Sequence, residues 1–232
     1  MTLKVYANRL SQPSRAIIIF CKVNGVDFEE ISIDLLKGEH KSPEYKEINP
    51  MAQVPAIVDD GLKLSESHTI LRYIAETSPG VPDNWYPADF ISRAKVNSIL
   101  DWHHSNLRVS SVTFVMNTVL APKFGRTMNP QAAAEAEKSL SSSLSIIESM
   151  WLNGDAEFFL GNPKPSIADL SLVCEITQSE LWREGDRERI LRPHPKILQW
   201  VENVKKATNP YFDEVHEALY KMKALLKAKQ SE

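Results

Sequence analysis

Leu3-Lys4-Val5-Tyr6 alternates apolar and polar positions with the period of a short strand. Residues 16–23 form a dense apolar run that stops at Asn24-Gly25. Glycine just past the last apolar position marks a helix C-terminus, and Pro13 suits that helix's first turn. Between the two lies Ser11-Gln12-Pro13-Ser14-Arg15-Ala16, a strand-to-helix turn that sets hydroxyls near a helix N-terminus. Such an end carries free N–H groups and partial positive charge, so it favours an anion. Residues 28–34 alternate again and predict a second strand. Ser42-Pro43 starts a short helix over 43–48, which Asn49-Pro50 breaks. Asp60-Gly61 is a tight-turn signal between apolar runs at 56–58 and 62–64, so a hairpin is predicted there. From 66 to 75 the spacing turns helical, with Ile70, Leu71, Ile74 and Ala75 on one face. Strands joined by a helix run parallel and strands joined by Asp-Gly run antiparallel. The order therefore predicts a small mixed sheet covered by helices, a thioredoxin-like arrangement.

The pattern then changes. Residues 78–87 hold three prolines and a glycine, as an interdomain linker does. From Asp89 onward nothing alternates and apolar positions recur at three or four. Helices are predicted at roughly 89–119, 130–153, 166–182, 195–206 and 213–229, an all-helical bundle. Ser166-Ile167-Ala168-Asp169 has capping-box spacing, with Asp in the usual Glu position. The expected division is residues 1–78 as an α/β thioredoxin-like domain, 79–88 as linker and 89–232 as the all-α domain.

Composition narrows this further. With 232 residues, 43% of them apolar, the chain can bury a sizeable core. A net charge of -3, from 27 basic and 30 acidic residues, argues against a nucleic-acid or membrane-surface partner. Cys21 and Cys174 sit inside apolar helical patterns and read as packing residues. No spacing suggests a disulfide framework or a metal site, and the adjacent His103 and His104 point to different sides of a helix. The start, Met1-Thr2-Leu3-Lys4, lacks a signal-peptide core, no apolar run approaches the ~20 residues needed to span a membrane, and the tail Lys229-Gln230-Ser231-Glu232 carries no targeting tripeptide. A cytoplasmic location is the expectation.

Several stretches, in order and at compatible spacing, carry a family resemblance. They are Ser11-Gln12-Pro13-Ser14-Arg15, Gln53-Val54-Pro55, Glu66-Ser67, Trp85-Tyr86-Pro87 and Ser166-Ile167-Ala168-Asp169-Leu170. With the later Asp101-Trp102-His103-His104, the chain resembles the cytosolic glutathione transferases, and in wording the theta class. The likeness extends over essentially the whole chain. It implies glutathione as co-substrate, no other cofactor, a hydrophobic electrophile as second substrate and a homodimer.

Conjugation to an electrophile needs the thiol of glutathione as its thiolate. A free thiol of pKa about 8.5 is only ~3% ionised at pH 7, and lowering it by two units means roughly 2.7 kcal/mol of preferential stabilisation. One hydroxyl donor plus a helix N-terminus is of that size. Three residues compete for the donor: Ser11, where the theta resemblance puts a catalytic serine, Ser14 in the first turn, and Tyr6 at the strand end, where other classes place a tyrosine. The resemblance further implies that Ser67 and Glu66 hold the γ-glutamyl carboxylate and ammonium, and that Gln53-Val54 pairs main chain to main chain with the cysteinyl unit. This last role requires a cis Pro55. His40 and Lys41 match positions that grip the glycine carboxylate. Trp102, His104 and Arg108 are the expected electrophile wall, with Arg108 near the sulfur or leaving group; Trp102 as core, and His103 and His104 as surface or dimer-contact residues, are equal alternatives. The same thiolate implies glutathione-dependent reduction of organic hydroperoxides. The rival reading is a non-catalytic ligand-binding or assembly module of the same build. Thiol–disulfide exchange would need a cysteine at the turn, and Cys21 lies two helical turns beyond it.

Overall fold

The structure, a computed structural model, describes residues 2–228. The tail at 229–232, on which the targeting expectation falls, lies outside the described residues, as does the last position of the predicted helix 213–229. Strands β1 (Leu3–Ala7), β2 (Phe28–Ser32), β3 (Ala56–Asp59) and β4 (Leu62–Ser65) form one sheet in the order β2-β1-β3-β4. β1 runs parallel to β2 and antiparallel to β3, and β3 and β4 form the hairpin. Its two-residue turn places Asp60 at φ 46° and Gly61 at φ 86°. Both central residues of such a turn need positive φ, which is why Asp-Gly marks it in the sequence.

Helix α1 (Gln12–Val23) crosses between β1 and β2 and is buried on nearly every side. One face meets the sheet, and the others meet the helical half through α7 (Ile167–Thr177) and α10 (Tyr211–Ala228). Hence its apolar run is continuous instead of amphipathic. Ile17, Ile18, Ile19 and Phe20 belong to a single core that spans both halves of the chain. Two further helices complete the first half: α2 (Pro43–Lys46), capped by the Ser42 hydroxyl, and α3 (Ser67–Thr77). The proline-rich segment after α3 is pinned at its end. Trp85 is buried edge-on against Phe20 with ring centroids 5.4 Å apart, and its carbonyl accepts from Ile167 N–H at 2.9 Å.

Beyond it the described residues are helical. The single helix predicted over 89–119 is instead two, α4 (Phe90–Ser105) and α5 (Leu107–Val115). The chain kinks at Asn106, φ -121° and ψ -83°, whose side-chain amide donates to the Trp102 carbonyl at 2.9 Å. After α5 comes a wide π turn (Met116–Leu120) and then a 3-10 turn (Ala121–Phe124). α6 (Pro130–Ile146) also ends in a π turn. α8 (Glu184–Leu191) was not expected; α9 (Pro195–Thr208) and α10 match their predicted stretches to within a few residues. The capping box at Ser166 and Asp169 forms at the start of α7. No helix among the described residues is long and apolar enough to cross a membrane.

Candidate active site

Where the sheet half meets the helical half there is a cleft of two lobes. The larger encloses about 670 Å³ and the smaller about 60 Å³, and both are lined by Gln53, Val54 and Arg108. A separate surface hollow of about 380 Å³ lies beside α8 and α10, but ion pairs cross it: Glu180 with Lys223, and Glu180 with Arg187 at 2.9 Å. It presents no hydroxyl or thiol.

The serine turn projects into the larger lobe. Ser11 is the N-cap residue of α1, yet its side chain makes no capping hydrogen bond, and it lines the cleft. Its turn is held from several directions. Ser11 N–H donates to the Asn8 carbonyl at 2.8 Å, and Asn8 Nδ2 donates to the Ile33 carbonyl at 2.8 Å. Arg15 Nη1 donates to the Arg9 carbonyl at 3.0 Å, and Arg9 makes a bidentate pair with Glu30 at 2.9 and 2.7 Å. Of the other two candidate donors, Ser14 is fully buried with its hydroxyl accepting from Asn8 N–H. Tyr6 packs edge-on to Tyr45 and borders neither lobe.

His40 and Lys41 border the larger lobe. His40 Nδ1 is buried without a partner, and burial holds the imidazole below its ordinary pKa, with the Lys41 charge adding to the effect. The Gln53 carbonyl is fixed by the Tyr45 hydroxyl at 2.6 Å and Asn49 Nδ2 at 2.8 Å, and the Val54–Pro55 peptide is cis, as the resemblance requires. Glu66 and Ser67 border the smaller lobe. Glu66 sits at φ 66°, a strained setting for a residue with a side chain and one that clusters at functional sites. Ser67 is the buried first residue of α3.

Two of the three residues expected at the electrophile wall, His104 and Arg108, border the cleft. Trp102 borders neither lobe; its ring lies edge-on to Trp151 at 4.8 Å, packed on the core. His104 faces the smaller lobe, with Nε2 3.0 Å from Glu66 Oε2. Because α4 ends before the kink at Asn106, the apolar wall comes from the next helix and its extension: Val112, Val115, Met116, Leu120 and Phe124, with Leu181 and Met222 opposite. The sequence signal for these was ambiguous, since Val112, Val115 and Met116 recur at three and four like any core face.

Beneath the cleft runs a buried polar string. His68 Nε2 lies 3.1 Å from His103 Nδ1, and His103 Nε2 lies 3.6 Å from Glu175 Oε2. Arg108 Nη1 donates to the same Glu175 oxygen at 2.9 Å, and Gln12 Nε2 donates to Glu175 Oε1 at 3.1 Å. Burial opposes the charge on Glu175, but Arg108, His103 and Ser111 outweigh it and hold the carboxyl down at about 2. Burial pushes the His68 imidazole down to about 2, helped by His103, His104, Arg72 and Arg108. Burial also lowers His103 and, far from the cleft, His216. These signs fix an acid limit. The unfolded histidines take up a proton below about pH 6.5 and the folded ones do not, so stability falls as pH drops from there. The Glu175 contribution is full above the ordinary carboxylate range and is lost as pH falls toward 2. For His68, held neutral throughout this range, the cost is about 2 kcal/mol by pH 5. Thermal melts are expected to show the midpoint falling between pH 7 and pH 5, with a shallower fall in His68→Gln; parallel slopes would contradict it.

A thioredoxin-like sheet continued by a helical half, with a two-lobed cleft at the join, defines the class of fold. The family description "Glutathione S-transferase, N-terminal domain" matches residues 1–76. Glutathione S-transferase T1 of Arabidopsis thaliana is 57% identical over 223 residues, covering 96% of this chain and 91% of that relative. Glutathione S-transferase T3 of the same plant is 56% identical over 223 residues, but this chain, 96% covered, spans only 38% of it. The crystal structure of human glutathione transferase theta-2, in complex with glutathione and an unknown ligand, superposes with a TM-score of 0.88 at 30% identity, covering 98% of this chain and 91% of that one. The chain belongs to the theta class of glutathione transferases.

Proposed function

We propose that this transferase ionises glutathione through the Ser11 hydroxyl and joins the resulting thiolate to hydrophobic electrophiles. The observation that carries this reading is that Ser11 lines the cleft with a hydroxyl uncommitted to capping, while Ser14 and Tyr6 are engaged elsewhere. The γ-glutamyl head enters the smaller lobe, its carboxylate at the Ser67 end of α3 and its ammonium on Glu66. The cysteinyl unit pairs with the main chain at Gln53-Val54. The glycine carboxylate meets His40 and Lys41. Residues 1–78 thus hold glutathione, and 89–232 hold the electrophile against Val112, Val115, Met116 and Leu120.

With an organic hydroperoxide the thiolate attacks the terminal oxygen, the O–O bond breaks and an alcohol leaves. A second glutathione thiol then attacks the oxidised sulfur, giving glutathione disulfide and water without any protein cysteine. Cys21 and Cys174 suit that exclusion: both are buried, and burial pushes their thiols up to about 12. A homodimer fits the exposure of Phe90 and Ile91 at the start of α4, 82% and 66%. A cytoplasmic setting fits the free cysteines.

Purified protein is expected to consume glutathione with an aryl halide and with cumene hydroperoxide. A folded preparation inactive toward both would favour the non-catalytic module.

A further inference from the structure

We propose that Glu175 is a positioning residue for the conjugation reaction: one buried carboxylate fixes the serine turn of the sheet half against Arg108 of the helical half. This rests on the reading of Ser11 as the thiolate's donor. Gln12 follows Ser11 directly, and its amide donates to Glu175 Oε1 at 3.1 Å. Arg108, which borders both lobes, donates to Glu175 Oε2 at 2.9 Å. The carboxylate is fully buried, on a helix that itself packs against α1, α4 and α5. The string continues from Glu175 through His103 to His68, the residue after Ser67. His103 Nε2 makes no hydrogen bond at that separation, so the tie rests on the Gln12 and Arg108 arms.

Stability alone does not explain such a residue. Burying a carboxylate and pairing it is often no better for folding than filling the space with a well-packed apolar side chain. What a carboxylate supplies that an apolar group cannot is two acceptor oxygens at fixed separation, each directed at a donor from a different half of the chain. Leucine in its place fills a similar volume but offers no acceptor, so both the Gln12 arm and the Arg108 arm let go.

The charges around both groups decide how to read the test. Facing Glu175 are Arg108, His103 and, more distantly, Arg15. Facing the larger lobe are Arg108, His40, Lys41, Lys123 and Asp34, beside Ser11. Removing a negative charge from beneath this set would, by charge alone, make the thiolate easier to form. Losing the geometry would make it harder. The two effects have opposite signs.

The experiment is an ultraviolet titration of thiolate in the enzyme–glutathione complex, run on the parent, Glu175→Leu, Gln12→Leu and Ser11→Ala proteins, together with kcat and KM for glutathione. Glu175→Leu is expected to raise the pKa of the bound thiol by about one unit, with an approximately tenfold loss of kcat/KM on the acid side that recovers at high pH. Gln12→Leu severs one arm without altering a charge and is expected to shift the titration in the same direction by less; it decides the matter if Glu175→Leu does not fold. A bound-thiol pKa that is unchanged or lower overturns the proposal. Should Ser11→Ala shift the titration while the other two do not, the positioning role alone is lost. Should Ser11→Ala leave it unmoved, the donor reading fails first.

Discussion

Ser11→Ala protein is expected to bind glutathione nearly as the parent does and to turn it over roughly ten- to a hundredfold more slowly at pH 7. A hydrogen bond to a charged group contributes about 1.5–3 kcal/mol, which is one to two units in the pKa of the thiol it serves. The hydroxyl makes no capping bond, so its removal leaves the start of α1 with the donors it already had. The main-chain bonds of the turn, Ser11 N–H to Asn8 and Arg15 N–H to the Ser11 carbonyl, do not involve the side chain. The defect should therefore lie in kcat and its pH profile and not in folding. Stopped-flow titration of the thiolate and steady-state rates from pH 6 to pH 9 provide the check, and an unaltered profile would remove Ser11 from its role.

Asp169→Ala is expected to destabilise the fold by about 3–5 kcal/mol, lowering the melting midpoint by about 10 °C. Asp169 is fully buried and takes four hydrogen bonds: from Ser166 N–H at 2.9 Å, Ser166 Oγ at 2.8 Å, Phe159 N–H at 2.9 Å and Trp200 Nε1 at 2.9 Å. Alanine would strand main-chain and indole donors away from solvent. Those donors belong to the α7 start, the segment before it and α9, so one carboxylate joins three parts of the helical half. The cleft is not among its contacts, and the activity per folded molecule should hold. Differential scanning calorimetry measures the loss. A drop smaller than 1 kcal/mol would mean the donors find other partners.

Most of the fold was legible because its signals are local. Alternation at 3–7 and 28–32, Asp60-Gly61 in the hairpin turn, glycine after Val23 and the capping box at Ser166 each act within a few residues. The failures come from longer-range causes. Glu184–Leu191 carries only two buried apolar side chains, Ile190 and Leu191, so its periodicity is faint, and its packing against α9 is invisible in the sequence. The kink at Asn106 breaks no hydrophobic rhythm, so α4 and α5 read as one helix. The site divides in the same way. Ser11, Glu66 and Ser67 stand out as candidates because turn and helix-start chemistry has its own spelling, and Gln53 only through the family resemblance. The apolar wall, Val112 to Phe124 with Met222, is assembled from segments about a hundred residues apart and looks like ordinary core until the chain is folded. Trp102 shows the converse: a large ring in a suggestive motif, turned toward Trp151 by the phase of its helix.

The wide turn Met116–Leu120 bears on how this enzyme's descendants diversify. Such a turn accommodates one residue more than a regular helical turn over the same rise. Deleting a single codon within it would allow ordinary winding to resume and would swing Met116 and Leu120 to new bearings around the axis. The serine turn and the start of α3 lie on other segments and would keep their places. The lining of the larger lobe can thus drift through small changes of length here, while the serine turn and the start of α3 stay as they are.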